Sequence, residues 1–236
     1  MRYNEYKKSS CTWFEEYPSS WTELRLRNLF WQRKEKNSPI KTNEVLSLSA
    51  KNGVQLYKNK KHGGGNKAKD DISLYNIAHE GDIIMNCMNV ISGSVDLSKY
   101  YGAISPVYYA LVPRNDYVNR YYYNYLFKIE TFQKSLLPLG RGILIHESGT
   151  GKLNTIRLRI SMSDLNNVFF PVPPREEQDQ IVRYLDWKVS QINKMIHGYQ
   201  KQINLLEERK KTLVDKTVTK GINPNAEMKE SGVYWL

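Results

Sequence analysis

The sequence predicts an α+β (mixed α/β) globular domain followed by a long coiled-coil α-helix. Two observations predict it. Short apolar runs separated by turn residues fill positions 1–174. Apolar residues then recur at alternating steps of three and four from Val182 to Leu213, with no proline among them.

At 236 residues, 40% apolar and 25% charged, the chain has room for one large domain, or for a domain with an appendage. No apolar run approaches the ~18 residues of a membrane span. The opening "MRYNEYKKSS" lacks the apolar core of a secretory signal. Cys11 and Cys87 form no metal or redox spacing, so reduced thiols and a cytoplasmic location are expected.

Within residues 1–174, the runs "GDIIMNCM", "SPVYYALVP", "NTIRLRI" and "NVFFPVPP" read as strands, with Thr155 to Ile160 alternating at period two. The stretch "VNRYYYNYLFKIETFQKSL" reads as helix, with Tyr122, Tyr125, Leu126, Ile129 and Phe132 on one face. Least like a core is "YKNKKHGGGNKAK", with lysines crowded around three glycines.

The long helix is expected over 175–220. "PVPPREEQ" sets Pro173 and Pro174 before it and Glu176 and Glu177 near its positive end; Gly221 and Pro224 stop it. Its seam is Val182, Leu185, Val189, Ile192, Ile196, Tyr199, Ile203, Leu206, Lys210 and Leu213, and only Lys210 in that row is not apolar. Gly198 weakens the pattern slightly. A helix of ~44 residues is roughly 66 Å long. It needs a partner helix of similar length, which this chain does not contain, so the partner comes from another copy or another protein. The tail, 221–236, is polar but closes on "MKESGVYWL", which repeats the opening "KKSSCTWF": Lys229 aligns with Lys7, Ser231 with Ser9, Trp235 with Trp13 and Leu236 with Phe14.

The net charge is +11. Residues 1–174 hold 24 Lys and Arg against 15 Asp and Glu, so the surplus sits in the domain, beside most of the 17 tyrosines. That is the footprint of a nucleic-acid binder, with a basic but inert surface as the alternative. Lys58, Lys60, Lys61, Lys67 and Lys69 are the expected phosphate contacts, since a Gly-rich loop can follow a backbone without steric cost. A basic loop with no ligand is the competing reading. Arg141 and Lys152 come second, Arg141 with the fork to read a guanine. Asn86 and Asn89 suit either an adenine or a buried turn. Tyr121 to Tyr123 suit core and helix surface better than stacking on bases.

No catalytic motif emerges from the sequence. "SGTGKL" fails as a phosphate loop, because His146 stands at the first glycine and Leu153 replaces the magnesium-holding hydroxyl. The four histidines are scattered, Asp70 and Asp71 lack a third ligand, and "ERK" at 208–210 lies on the expected coil. No catalytic residue, no metal site and no cofactor are expected in this chain.

The segment "FFPVPPREEQDQIVRYLDWKVSQINKMI", the later "INLLEERKKTLVDKTVTKGI", and "YPSSWTELRLRNLF" and "GAISPVYYALVP" nearer the start resemble the specificity subunits of type I restriction-modification systems. The resemblance spans nearly the whole chain. It implies that 1–174 is a target-recognition domain, that 175–220 is the family's conserved helix, and that the tail is the lead-in to a second repeat. Members usually carry two such repeats, so this chain resembles a half-length form. A non-catalytic reader of double-stranded DNA follows, paired with itself as an antiparallel homodimer on a bipartite palindrome. Methyltransferase subunits carrying S-adenosylmethionine and a restriction subunit would join it. A small nuclease or methyltransferase fragment with a coiled-coil dimeriser, or a protein-binding adaptor, are the alternatives.

Overall fold

The computed structural model describes residues 3, 5–59, 71–88, 90–143 and 157–223, together with 225, 227, 229, 230 and 232, by backbone alone at 143 and 157. They form two units, 1–182 and 183–236.

The first unit opens with β1 (Tyr6–Lys8), β2 (Glu16–Pro18), β3 (Thr22–Arg25), α1 (Leu26–Leu29), β4 (Phe30–Arg33), β5 (Leu46–Ser49) and β6 (Gly53–Leu56). It continues with β7 (Asn76–Ala78), β8 (Ile83–Asn86), β9 (Val95–Leu97), β10 (Gly102–Ile104), β11 (Tyr108–Pro113), α2 (Arg120–Phe127) and α3 (Glu130–Ser135). Then come β12 (Arg141–Ile143), β13 (Arg157–Arg159), α4 (Met162–Leu165), β14 (Phe169–Val172) and the start of α5 (Arg175–Lys220). The mixed fold and the long terminal helix are as the sequence predicts.

The centre is an antiparallel sheet in the order β4-β11-β8-β9. Successive side chains of a strand point to opposite faces. Ile83 and Met85 of β8 and Tyr109 and Leu111 of β11 therefore enter one core cluster, while Ile84 and Ala110 enter a second with Leu46, Leu48, Val54 and Ile104. Both faces are covered, which explains the unbroken apolar run in "DIIM". The larger cluster is aromatic at its middle: Phe127 and Phe170 have ring centroids 5.4 Å apart, and Phe132 and Phe170 5.2 Å. The opening segment reaches the same place. Trp13 packs edge-on against Phe132 at 5.3 Å and donates its Nε1–H to the Phe169 carbonyl at 3.1 Å. Ser231, Trp235 and Leu236 of its echo in the tail lie outside the described residues.

The single helix expected over 118–136 is two. Ile129 has extended backbone and caps α3, and its side chain is exposed rather than on the shared apolar face. The break lets Tyr123 and Phe127 from α2 and Phe132 from α3 enter one cluster, which one straight helix could not do.

The start of α5 is locked by an amide. Gln178 is fully buried. Its Oε1 accepts from the Asn119 N–H at 2.9 Å, and its Nε2 donates to the carbonyls of Tyr117 at 3.2 Å and Pro173 at 2.9 Å. Asn119 in turn caps α2, accepting from the N–H groups of Tyr121 and Tyr122. Nearby, Trp21 donates to Glu177 at 2.9 Å, and burial pushes the Glu177 carboxyl above its ordinary pKa.

Val182, expected on the seam, is instead 8% exposed and part of the larger core cluster. The opening turns of α5 spend their apolar face on their own domain, so Val182 is not available to a partner.

Gln178→Leu leaves the Asn119 N–H and the Tyr117 carbonyl buried without a partner, and is expected to lower unfolding free energy by about 3 kcal/mol. Urea unfolding of the purified variant measures it.

Candidate nucleic-acid interface

The expected phosphate contacts divide by position. Lys58 sits in the helical turn after β6 and donates to Glu44 Oε1 at 2.9 Å. Arg141 opens β12 and is largely exposed, with Nη2 3.4 Å from Asp164 Oδ2. Lys60, Lys61, Lys67, Lys69 and Lys152 lie outside the described residues, as does Asn89.

Cross-strand pairing sets Arg141 directly opposite Arg159. Residues directly opposite share a face of the ladder, and two like charges there repel. The Asp164 carboxylate offsets part of that cost, itself held by the Ser161 hydroxyl, which donates to Oδ2 at 2.6 Å. Lys58–Glu44 is an exposed pair, and Arg141–Asp164 joins an exposed guanidinium to a partly buried carboxylate at only 3.4 Å, so each is worth at most about 1 kcal/mol. Each cation can therefore trade its carboxylate for a phosphate at little cost.

Arg159 was not among the expected contacts, though its signal was present. "RLRI" alternates: Leu158 and Ile160 are buried and Arg159 between them is exposed, with its guanidinium also beside the Tyr109 hydroxyl and the Cys87 thiol. Asn86 is a turn residue: it is buried and its Oδ1 accepts from the Met88 N–H at 3.0 Å. Tyr122 and Tyr123 are core and Tyr121 is surface.

In the second unit, the seam residues Val189, Ile192, Ile196, Tyr199, Ile203, Leu206 and Leu213 are each between 40% and 65% exposed. Leu185, nearer the domain, is half-buried. Gly198 has open space where a side chain would be.

Neither thiol is poised for chemistry. Burial first, then the charge of Glu23, pushes Cys11 up to about 12, and its Sγ donates to the Phe169 carbonyl at 3.0 Å. Burial likewise raises Cys87. Among the described residues no three His, Cys, Asp or Glu side chains gather as a metal site, and no helix is long and apolar enough to cross a membrane.

The model of a family described as type I restriction modification DNA specificity domain matches residues 18–205. The MjaVIII type I restriction enzyme specificity subunit of Methanocaldococcus jannaschii is 26% identical over 220 residues, which is 92% of this chain and 46% of that protein. A chain from a structure concerned with complex assembly and conformational transition of a type I R-M system superposes with TM-score 0.56 at 21% identity, covering 87% of this chain and 47% of its own. The HsdS subunit of Thermoanaerobacter tengcongensis superposes at 0.50 and 19% identity, covering 92% and 48%. These likenesses are of fold, and the chain spans about half the length of each relative.

Iodoacetamide at pH 8 is expected to leave native Cys11 almost untouched, since about one thiol in ten thousand is ionised at a pKa near 12. Denatured chain should react many times faster, as mass spectrometry of timed samples would show.

Proposed function

The chain belongs to the type I restriction modification DNA specificity domain family, and on that premise we propose that it is the DNA-reading part of a modification complex and works as one of a pair. The globular domain, 1–174, reads one half of a bipartite target. Lys58, Lys60, Lys61, Lys67, Lys69, Arg141 and Lys152 hold phosphates, and Arg159 joins them. The helix over 175–220 pairs with a second copy running the other way, through the seam from Leu185 to Leu213. Two-fold pairing is isologous, so two identical domains read a palindrome. The chain itself carries no catalysis. Methyltransferase subunits bring S-adenosylmethionine to the pair, and a restriction subunit completes the complex.

The exposed seam carries this reading. An apolar stripe of this length on one helix is unfavourable in water and is ordinarily covered. From Val189 to Leu213 it rises about 36 Å at ~1.5 Å per residue. One turn of duplex is ~34 Å, so paired seams would act as a spacer of about one turn between half-sites.

Light scattering across a concentration series is expected to give twice the 27.6 kDa chain mass. Ile196→Lys with Ile203→Lys should give a monomer that still melts cooperatively. A wild type that stays monomeric at every concentration would sink the homodimer.

A further inference from the structure

Arg114, Arg120 and Arg175 line one cleft of about 320 Å³, with Asn115, Asn119 and Tyr121. Each guanidinium is held by a backbone carbonyl. Arg114 Nε donates to Arg27 O at 2.6 Å, Arg120 Nη1 to Gly81 O at 2.9 Å, and Arg175 Nη1 to Asp116 O. Arg175 also pairs with Asp179 at 2.9 Å, and Asp116 lines the same cleft. Arg114 and Arg120 have no carboxylate in ion-pair range among the described residues. Three cations thus face at most two acidic side chains.

The seat of Arg120 is specific. Gly81 has φ +84°, and a Cβ there would stand 1.9 Å from Arg120 Nη1. Only glycine lets the guanidinium lie against that carbonyl. A guanidinium has five N–H donors, and one carbonyl uses one of them. The N–H groups of Tyr121 and Tyr122 are already taken by Asn119, so the charged donors of this cleft are those of the arginines. Fixed guanidinium forks with spare donors match the oxygens of a phosphate.

We propose that this cleft is an oxyanion site of the phosphate class, filled by a backbone phosphate when the chain is on DNA. The occupant rests on the function proposed above; the anion chemistry does not.

The test uses the full chain with Arg114→Gln, Arg120→Gln, both together, and Arg114→Lys, each checked by thermal melting. Arg114 is exposed, so its variants keep the test open if Arg120→Gln misfolds. A fluorescent duplex is titrated over a salt series. The double variant is expected to bind about tenfold more weakly at low salt, with a log–log salt slope shallower by about one, while Arg114→Lys keeps most of the slope. A wild type that binds DNA, with affinity and slope unchanged in the glutamine variants, overturns the site and leaves the DNA reading standing. A wild type that binds no duplex sinks the DNA reading, and inorganic phosphate then decides. Stabilisation of wild type but not of the double variant, beyond chloride at equal ionic strength, upholds the oxyanion site; equal effects on both overturn it.

Discussion

The buried amide of Gln178 is the constraint on which the rest of the first unit depends. Three backbone groups from two connecting segments converge there, one N–H and two carbonyls. Only a side chain with both an acceptor and two donors answers all three. A glutamate in its place would aim negative charge at the carbonyls, and an apolar residue would leave the Asn119 N–H and the Tyr117 carbonyl unpaired, the Pro173 carbonyl keeping only the Tyr117 hydroxyl. Because Asn119 is held by that amide and in turn caps α2, one side chain orders the beginnings of two helices. The aromatic cluster can then form beneath, since Tyr123 and Phe127 depend on where α2 begins.

Much of this was legible from residue pattern. The runs read as strands contain β8, β11, β13 and β14, because strands buried on one or both faces carry their burial in their composition. The seam of α5 was legible because apolar residues at alternating steps of three and four fall on one stripe of a helix and on no single face of a strand. The break between α2 and α3 was not. Ile129 fits a helical face by spacing, and only the need to bring Phe132 to the same core as Phe127 sends it outward. Val182 likewise fits the seam by spacing, but tertiary packing claims it first.

Charged surface is less legible, for a physical reason. A lysine in a Gly-rich stretch announces itself by composition, and so Lys58 was found, although Glu44 already holds it. Arg114 and Arg120 stand in a segment that reads as turn and helix. What gives them a common place is contact with Arg27 and Gly81, far away in the chain. Convergence of that kind leaves no local trace, and neither does the pairing of Arg141 with Arg159 across β12 and β13.

Lys210 has one further consequence. It is the lone cation in the row of apolar seam residues, between Leu206 and Leu213. In a parallel, in-register pair every residue meets its own twin, so two ammonium groups would be pressed together in the least hydrated part of the contact. In an antiparallel pair only residues at the axis meet their twins, and Lys210, eleven positions from Tyr199, escapes that encounter when the axis passes near the tyrosine. In the proposed pair, a single misplaced-looking charge would thus act as a polarity key. It would add nothing to adhesion there, and would make one sense of alignment cheaper than the other.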